Sequence, residues 1–537
     1  MGRFLQTLRG RGVLAVLSAL SFYAAFPPLE FSLLAWIGPG LLILTAVGAR
    51  LKQAFVLGFL SGLLFHLLSL SWIVETLSSH GEFKKIWAVS TLFLLAVILA
   101  IYWAIFTAAL SVFDRIWPRY GFLLAPPLWV GLEFARTYVL TGFPWNLLGY
   151  SQYSFLSLIQ IASICGVYGV SFIVVGLSST LCALCIRRIR PPEILLALYF
   201  TIIVALPFVA GLVMLSRSLN ELPFQPLKVA CIQTNTPQER KWDSGSIVQI
   251  FAEHKKMTKA ASGRGSRLVL WSESSVPLDF ESTAWYQKEV TELARLEGID
   301  ILLGSTHAEI SPVPPENLAI TSGDDRLKAI QMVRYFNSAF MVHQDGSVGS
   351  RYDKMHLVPF SEYNPYRNVF WFFPRLVNAA SDFTQGTTFV INQTGSYSHG
   401  TFICYEAIFP DIPRVYTRKG AHVLVNITND AWFGESAAPT QHFLASVFRA
   451  VENRRWVVRC ANTGISAFID PNGRIHAATD LMEQTILIGE VRAVDSMSWY
   501  TRHGDVFAWI MSLLSAALLL GIPVRYFIRR FKHGNRH

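Results

Sequence analysis

Gly400-Thr401-Phe402-Ile403-Cys404-Tyr405-Glu406 is the stretch that decides the fold. Its apolar, β-branched run reads as a buried strand, and the polar step after it leaves a thiol at the strand's carboxyl end. Outward from there, the block 220–505 repeats the pattern. Short runs rich in β-branched or aromatic residues lie at 227–232, 267–271, 301–305, 338–343, 401–404, 422–427, 456–460 and 465–469. Helical patterns fall between several of them. Asp243 is placed to cap a helix running to about residue 260, and 440–454 puts Phe443, Leu444, Val447, Phe448 and Val451 on one face. Asp345-Gly346 and Pro471-Asn472-Gly473 read as hairpin turns. This alternation predicts an α/β domain with sheets buried beneath helices.

The rest of the chain is of a different kind. Hydrophobic residues make up 52% of the 537, charged residues only 15%, and mean hydropathy is +0.37. That balance excludes an ordinary soluble chain and predicts an integral membrane protein. Apolar runs long enough to cross a bilayer, about 17–25 residues, are read near 12–28, 31–48, 54–76, 87–112, 121–140, 158–186, 193–215 and 507–526. The first, behind Arg3, Arg9 and Arg11, also has the look of a signal peptide, but six more spans follow it before the polar block. The predicted organisation is a seven-span membrane domain over 1–219, a polar catalytic domain over 220–505, and a last span with a basic tail over 506–537.

Every second connection is basic: Arg3, Arg9 and Arg11; Arg50 and Lys52; Arg115 and Arg119; Arg187, Arg188 and Arg190; Arg525, Arg529, Arg530 and Lys532. The expected topology has both termini in the cytoplasm and the 220–505 block on the opposite, periplasmic side. These loops account for part of the formal charge of +10. No basic stripe interleaved with aromatics calls for nucleic acid. Neither HExxH nor a phosphate-cradling glycine loop occurs, and Cys182-x-x-Cys185 lacks the second ligand pair zinc needs, so no metal or cofactor is expected. Cys165, Cys182 and Cys185 fall in the sixth span. Cys231, Cys404 and Cys460 remain in the polar block, and three cannot all pair, which leaves at least one free thiol.

Of those three, Cys404 is the best placed nucleophile, because it ends a strand and enters a turn. Leu268-Val269-Leu270-Trp271-Ser272-Glu273 delivers a carboxylate after another apolar run, and Lys354 follows the Asp345-Gly346 turn. A thiol needs a base, and a thioester-forming attack needs positive charge near the oxyanion. Glu273, Lys354 and Cys404 supply base, cation and nucleophile.

Leu270-Trp271-Ser272-Glu273, the stretch from Lys354 to Tyr363, Ile403-Cys404-Tyr405-Glu406 and Thr428-Asn429-Asp430-Ala431-Trp432-Phe433-Gly434 resemble the signature segments of the nitrilase superfamily. With Phe26-Pro27-Pro28, Phe143-Pro144-Trp145, Gln441-His442 and Ala461-Asn462-Thr463-Gly464, the chain resembles the membrane branch of that superfamily, the apolipoprotein N-acyltransferases. Ser272 departs from the proline common before the glutamate. The resemblance implies a helical membrane bundle of about eight spans joined to a nitrilase-like αββα sandwich. It further implies acyl transfer from a membrane phospholipid, phosphatidylethanolamine foremost, through a Cys404 thioester to the N-terminal amine of a diacylglyceryl-cysteine apolipoprotein, by a monomer in a bacterial inner membrane. Glu362 matches the family's second active-site glutamate, Tyr405 and Glu406 match positions beside the nucleophile, and Trp242 and Asn337 match positions lining the substrate cavity, with an interfacial anchor the other reading of Trp242.

The aromatic stretch 363–374, with Trp371, Phe372 and Phe373, reads as a lid dipping into lipid. Glu133 and Arg136, one turn apart in the fifth span, read as a pair, a polar cavity or structural bracing. Gly58 and Gly62 form a GxxxG for close helix contact. Two rival functions fit the same residues: a membrane-tethered amidase acting on a C–N bond, and a non-catalytic lipoprotein-binding scaffold.

Overall fold

A computed structural model describes residues 7–79, 84–117, 121–185, 198–217, 221–241, 243–312, 331–363 and 383–534. Two six-stranded sheets form the polar block, in the orders β12-β1-β2-β3-β4-β5 and β11-β10-β9-β8-β7-β6. The first comprises β1 (Leu227–Gln233), β2 (Leu268–Trp271), β3 (Asp300–Pro312), β4 (Gln331–Val342), β5 (Val348–Asp353) and β12 (Thr485–Val491). The second comprises β6 (Ile391–Thr394), β7 (Tyr397–Ile403), β8 (Val423–Thr428), β9 (Trp456–Ala461), β10 (Ala467–Ile469) and β11 (Ile475–Ala478). Each sheet has a parallel centre, β1-β2-β3 and β7-β8-β9, with antiparallel strands outside. Parallel centres are buried on both faces, which is why 268–271, 423–428 and 456–461 are buried at every residue rather than alternating.

All eight expected strands are present. The two turns close hairpins as read, with Gly346 at φ +85° and Gly473 at φ +85°. β5, β6, β11 and β12 were not legible, being short or half-exposed strands with weak patterns. Asp243 does accept from Gly245 N, but it caps a short 3-10 turn, and the helix proper is Ile247–Gly263.

The helix expected over 440–454 runs Ala438–Asn453, and its reading as one apolar face needs correction. Its polar residues are buried as well, because the helical part of the chain lies against that side. Arg449 and Glu452 pair at 2.9 Å, Arg449 Nη2 donates to Tyr150 Oη at 3.3 Å, and Glu452 Oε1 accepts from Val167 N at 3.0 Å. Charges so buried are tolerated only when paired and hydrogen-bonded. The polar face is therefore an internal joint.

In the helical part, Leu51–Ser69, Lys85–Ile116, Val167–Leu184 and Leu198–Ser216 are long and apolar enough to cross a membrane, by length and composition. They correspond to the third, fourth, sixth and seventh expected spans. Of the others, the first is the helix Leu8–Ala24, of 17 residues, and the eighth lies in the helix Val506–Gly534. The second is a 3-10 turn, Ser32–Trp36, followed by Gly38–Ala46, and the fifth is the helix Ala125–Tyr138. The run 158–186 breaks at Gly166, φ +64°, so Cys165 ends a separate short helix, Ala162–Cys165, instead of lying in the span with Cys182. The GxxxG contact is real: a Cβ at Gly58 or Gly62 would fall within 3 Å of Thr107 or Trp103 of the helix Lys85–Ile116.

Candidate active site

The catalytic candidates all stand at carboxyl ends of strands, where side chains leave the sheet and become free to converge. Glu273 follows β2 after Ser272, Lys354 follows β5 directly, and Cys404 follows β7 and opens the 3-10 turn Cys404–Ile408. Cys404 sits at φ +50°. A left-handed conformation costs a residue with a Cβ about 1–2 kcal/mol, so its neighbours must hold it there.

Lys354 is 1% exposed and carries Nζ 2.8 Å from Glu362 Oε1 and 3.4 Å from Glu273 Oε1. Asn337 joins the same two carboxylates, its Nδ2 donating to Glu273 Oε1 at 2.7 Å and to Glu362 Oε1 at 2.8 Å. Asn337, expected to line a substrate cavity, spends both amide hydrogens on the two glutamates. The second oxygens are held by backbone: Asn429 N to Glu273 Oε2 and Val358 N to Glu362 Oε2, each at 2.8 Å. Glu273 and Glu362 are thus fixed at both oxygens, with little rotamer freedom left.

Burial works against the charged form of Lys354, but Glu362 and then Glu273 outweigh it and hold the ammonium well above its usual pKa. Burial, with the Glu273 charge behind it, pushes the Cys404 thiol up, and Lys354 only partly offsets this. Burial and the Glu273 charge therefore favour the neutral thiol of Cys404 over a preformed thiolate.

Tyr405 and Glu406 flank the nucleophile in different directions. Glu406 is fully buried and accepts from Ile403 N (2.6 Å), Met355 N (2.7 Å), His356 N (3.0 Å) and Tyr352 Oη (2.8 Å), stitching the Cys404 turn to the segment after Lys354. Tyr405 Oη reaches Gly142 O of the helical part at 3.5 Å. Trp242, Trp371, Phe372 and Phe373, and with them the expected lid, lie outside the described residues.

Sequence reasoning missed Lys241. It is 1% exposed and donates from Nζ to the backbone oxygen of Glu273 at 2.9 Å. Burial lowers its pKa to about 8, against the opposing pull of Glu273 and Cys404. Gln238-Glu239-Arg240-Lys241 reads as an exposed charged turn, so nothing local marks it. Asp430 and His442 lie in the quoted signature segments without an assigned role, and with Arg459 they form a group beside Cys404. Cys404, Asp430 and His442 bring thiol, carboxylate and imidazole within 4.8 Å of one another, a set a soft divalent ion would recognise. These residues do not fit an ion. Arg459 Nη2 is 2.8 Å from Asp430 Oδ2 and 3.1 Å from His442 Nδ1, so a fixed cation already neutralises the carboxylate, and Thr428 Oγ1 takes Asp430 Oδ1 at 3.0 Å.

Glu133 and Arg136 make no ion pair with each other. Glu133 Oε1 accepts from Leu148 N at 2.7 Å and Arg136 Nη2 donates to Trp145 O at 3.3 Å, so the two brace the loop over 139–149. They also line a pocket with Phe22, Phe65, Trp103 and Trp129. Of the expected roles the bracing is present, while the pocket they line is mostly apolar and not a polar cavity.

Residues 18–180 match the apolipoprotein N-acyltransferase N-terminal domain and residues 228–500 match the carbon-nitrogen hydrolase family. An apolipoprotein N-acyltransferase of Geobacter metallireducens is 38% identical over 521 residues, covering 96% of this chain and 95% of that relative. The chain belongs to the apolipoprotein N-acyltransferase family. Another apolipoprotein N-acyltransferase, of Rickettsia prowazekii, is 32% identical over 86% of this chain and 88% of its own. An amidase from Nesterenkonia sp. is similar over 53% of this chain and 95% of its own, at 19% identity and TM-score 0.36. In this apolipoprotein N-acyltransferase family member, Glu273, Lys354, Glu362 and Cys404 fall within the carbon-nitrogen hydrolase match, and Glu133, Arg136 and Trp145 within the N-terminal one.

Proposed function

We propose that this chain transfers an acyl group from a membrane phospholipid, through a Cys404 thioester, to the N-terminal amine of diacylglyceryl-cysteine on apolipoproteins. The observation that carries the reading is the closure of Lys354 on Glu362 and Glu273, 2.8 and 3.4 Å away, beside a strand-end cysteine in a chain with membrane-length apolar helices.

Glu273 takes the proton of Cys404 as sulfur attacks an ester carbonyl of the donor. Charge developing on that oxygen is met by Lys354 and the N–H of Tyr405. The C–O bond breaks, the proton passes from Glu273 to the leaving oxygen, and lysophospholipid departs. The amine of the second substrate then attacks the thioester, Glu273 accepts its proton, and the C–S bond breaks to return the thiol. Glu362 keeps Lys354 pointed at the oxyanion throughout. Such a ping-pong course suits a thioester, which an amine held in place cleaves faster than water does.

The same reading puts phosphatidylethanolamine first among donors and a monomer in a bacterial inner membrane. It has a helical domain over 1–219, a periplasmic catalytic domain over 220–505 and a final span over 506–537. Eight spans in total keep both termini cytoplasmic, in line with the alternating basic loops.

Intact mass spectrometry after incubation with phosphatidylethanolamine tests the chemistry. An acyl-sized, hydroxylamine-sensitive adduct on the unsubstituted protein and none on Cys404→Ala supports the thioester. No adduct on lipid-replete, folded protein overturns it.

A further inference from the structure

Beside the Cys404 sulfur and against its backbone, the chain builds a second polar assembly that the acyl-transfer steps above do not use. His442 is 1% exposed, in the first turns of the helix Ala438–Asn453. Its Nε2 lies 3.0 Å from the carbonyl oxygen of Cys404. A carbonyl only accepts, so Nε2 carries a hydrogen and donates it, whichever state Nδ1 is in. On the other side of the ring, Nδ1 is 3.0 Å from Asp430 Oδ1 and 3.1 Å from Arg459 Nη2. Arg459 is itself fixed by Asp430 Oδ2 at 2.8 Å and by Asn426 Oδ1. Trp145 of the helical part stacks on the imidazole at 5.6 Å and 23°. The next residue back, Gln441, accepts from Trp145 Nε1 at 2.8 Å and donates to Pro27 O at 3.0 Å and Ser69 O at 3.2 Å. The ring has no freedom to turn.

A trans peptide is planar, with its C=O and N–H pointing in opposite directions. Fixing the Cys404 carbonyl toward His442 therefore fixes the Tyr405 N–H toward the opposite side. Tyr405 is the second residue of the Cys404–Ile408 turn, where an N–H has no acceptor within its own helix. That is the N–H assigned above to the oxyanion. The strained φ of +50° at Cys404 needs an external hold for the same reason, since the relaxed backbone would rotate this peptide away.

We infer that His442 is a positioning residue for acyl transfer: by donating Nε2–H to the Cys404 carbonyl it holds the peptide plane whose N–H receives the oxyanion. The inference rests on Cys404 being the acylated nucleophile. It also explains how the membrane-side loops carrying Pro27, Ser69 and Trp145 meet the nucleophile, since Gln441 and His442 are consecutive residues of one helix.

Glutamine and methionine have nearly the same shape, but only glutamine donates a hydrogen bond. The full chain in detergent with phosphatidylethanolamine is compared as His442→Gln, His442→Met and the unsubstituted protein, following the rate of Cys404 acyl-adduct formation by intact mass and donor KM by turnover. The expected result is an acylation rate at least tenfold lower for His442→Met with KM for the donor little changed, and a rate for His442→Gln restored to within a few-fold. Equal rates in the two variants, whether both low or both normal, overturn the inference. So does a loss in His442→Met that appears wholly in KM. A missing adduct on the unsubstituted protein speaks against the Cys404 thioester itself, a separate failure. If His442→Met does not fold, His442→Asn, whose amide is too short to reach the carbonyl, takes its place with the same expectation.

Discussion

The backbone N–H of Asn429 donates to Glu273 Oε2 at 2.8 Å, tying the end of β8 in one sheet to the base at the end of β2 in the other. Glu273, the proposed base, is therefore aligned with Cys404 by the packing of two sheets, since Cys404 leaves β7, the neighbour of β8.

Replacing the base separates its two effects on the thiol. The Glu273 charge helps push Cys404 up, so Glu273→Gln should move the titration of the thiol to lower pH, while burial keeps it above an ordinary thiol. Acylation should nonetheless fall about 10²–10⁴-fold, because the proton acceptor is gone. Ultraviolet thiolate absorbance against pH, beside adduct formation, measures both. A thiol titrating higher in Glu273→Gln would contradict the arrangement.

Glu362 is the nearer partner of Lys354. Glu362→Gln should leave a folded protein in which the ammonium leans toward Glu273, with acylation slowed about tenfold or more through the oxyanion contact. Single-turnover rates check this, and an unchanged rate would assign Glu362 to structure alone.

Gly304 of β3 packs closely against the backbone of Glu273. A Cβ there would lie 2.6 Å from Ser272 O, 2.7 Å from Glu273 Cα and 2.8 Å from Ser274 N. Backbone cannot give way as a side-chain tip can, so Gly304→Ala should cost about 1–3 kcal/mol of stability and displace Glu273. A thermal midpoint and an acylation rate both at the unsubstituted level would refute the contact.

Acid should destabilise the sandwich through its buried histidines. Burial lowers His254, His356 and His399 to about 4 each. In the unfolded chain they titrate near 6.5. Their folded pKa values are depressed, so the stability they contribute is full above about 6.5 and is lost as pH falls through about 4. Unfolding free energies measured across that window should drop, by an amount of order 1–3 kcal/mol for each fully buried ring, with thermal midpoints falling in step. The slope should be shallower in His254→Gln.

Much of the site is written at strand ends, where an apolar run stops at a residue able to do chemistry. Glu273 after Leu268–Trp271, Cys404 after Tyr397–Ile403 and Lys354 after a marked hairpin turn all declare themselves this way. Glu362 was found through its spacing from Lys354 in a family-like segment. Lys241, Asn429 and His442 were not legible as site residues. One acts through Nζ on a backbone oxygen, one through a backbone N–H, and one through a carbonyl 38 residues away in the chain.

The sequence by itself determined the alternation of strands and helices, the apolar helices and the polar residues that end the central strands. These follow from local period and composition, which a few neighbouring residues fix. Tertiary structure decided the rest. It broke the runs at 31–48 and 158–186, through backbone turns at Ile37 and Gly166 that an average over apolar residues does not register. It left the helix Ala438–Asn453 without a wet face, and it turned the Cys404 peptide toward His442. Those features depend on which surfaces meet, and partners far apart in the chain are chosen only when the two sheets and the helical part pack together.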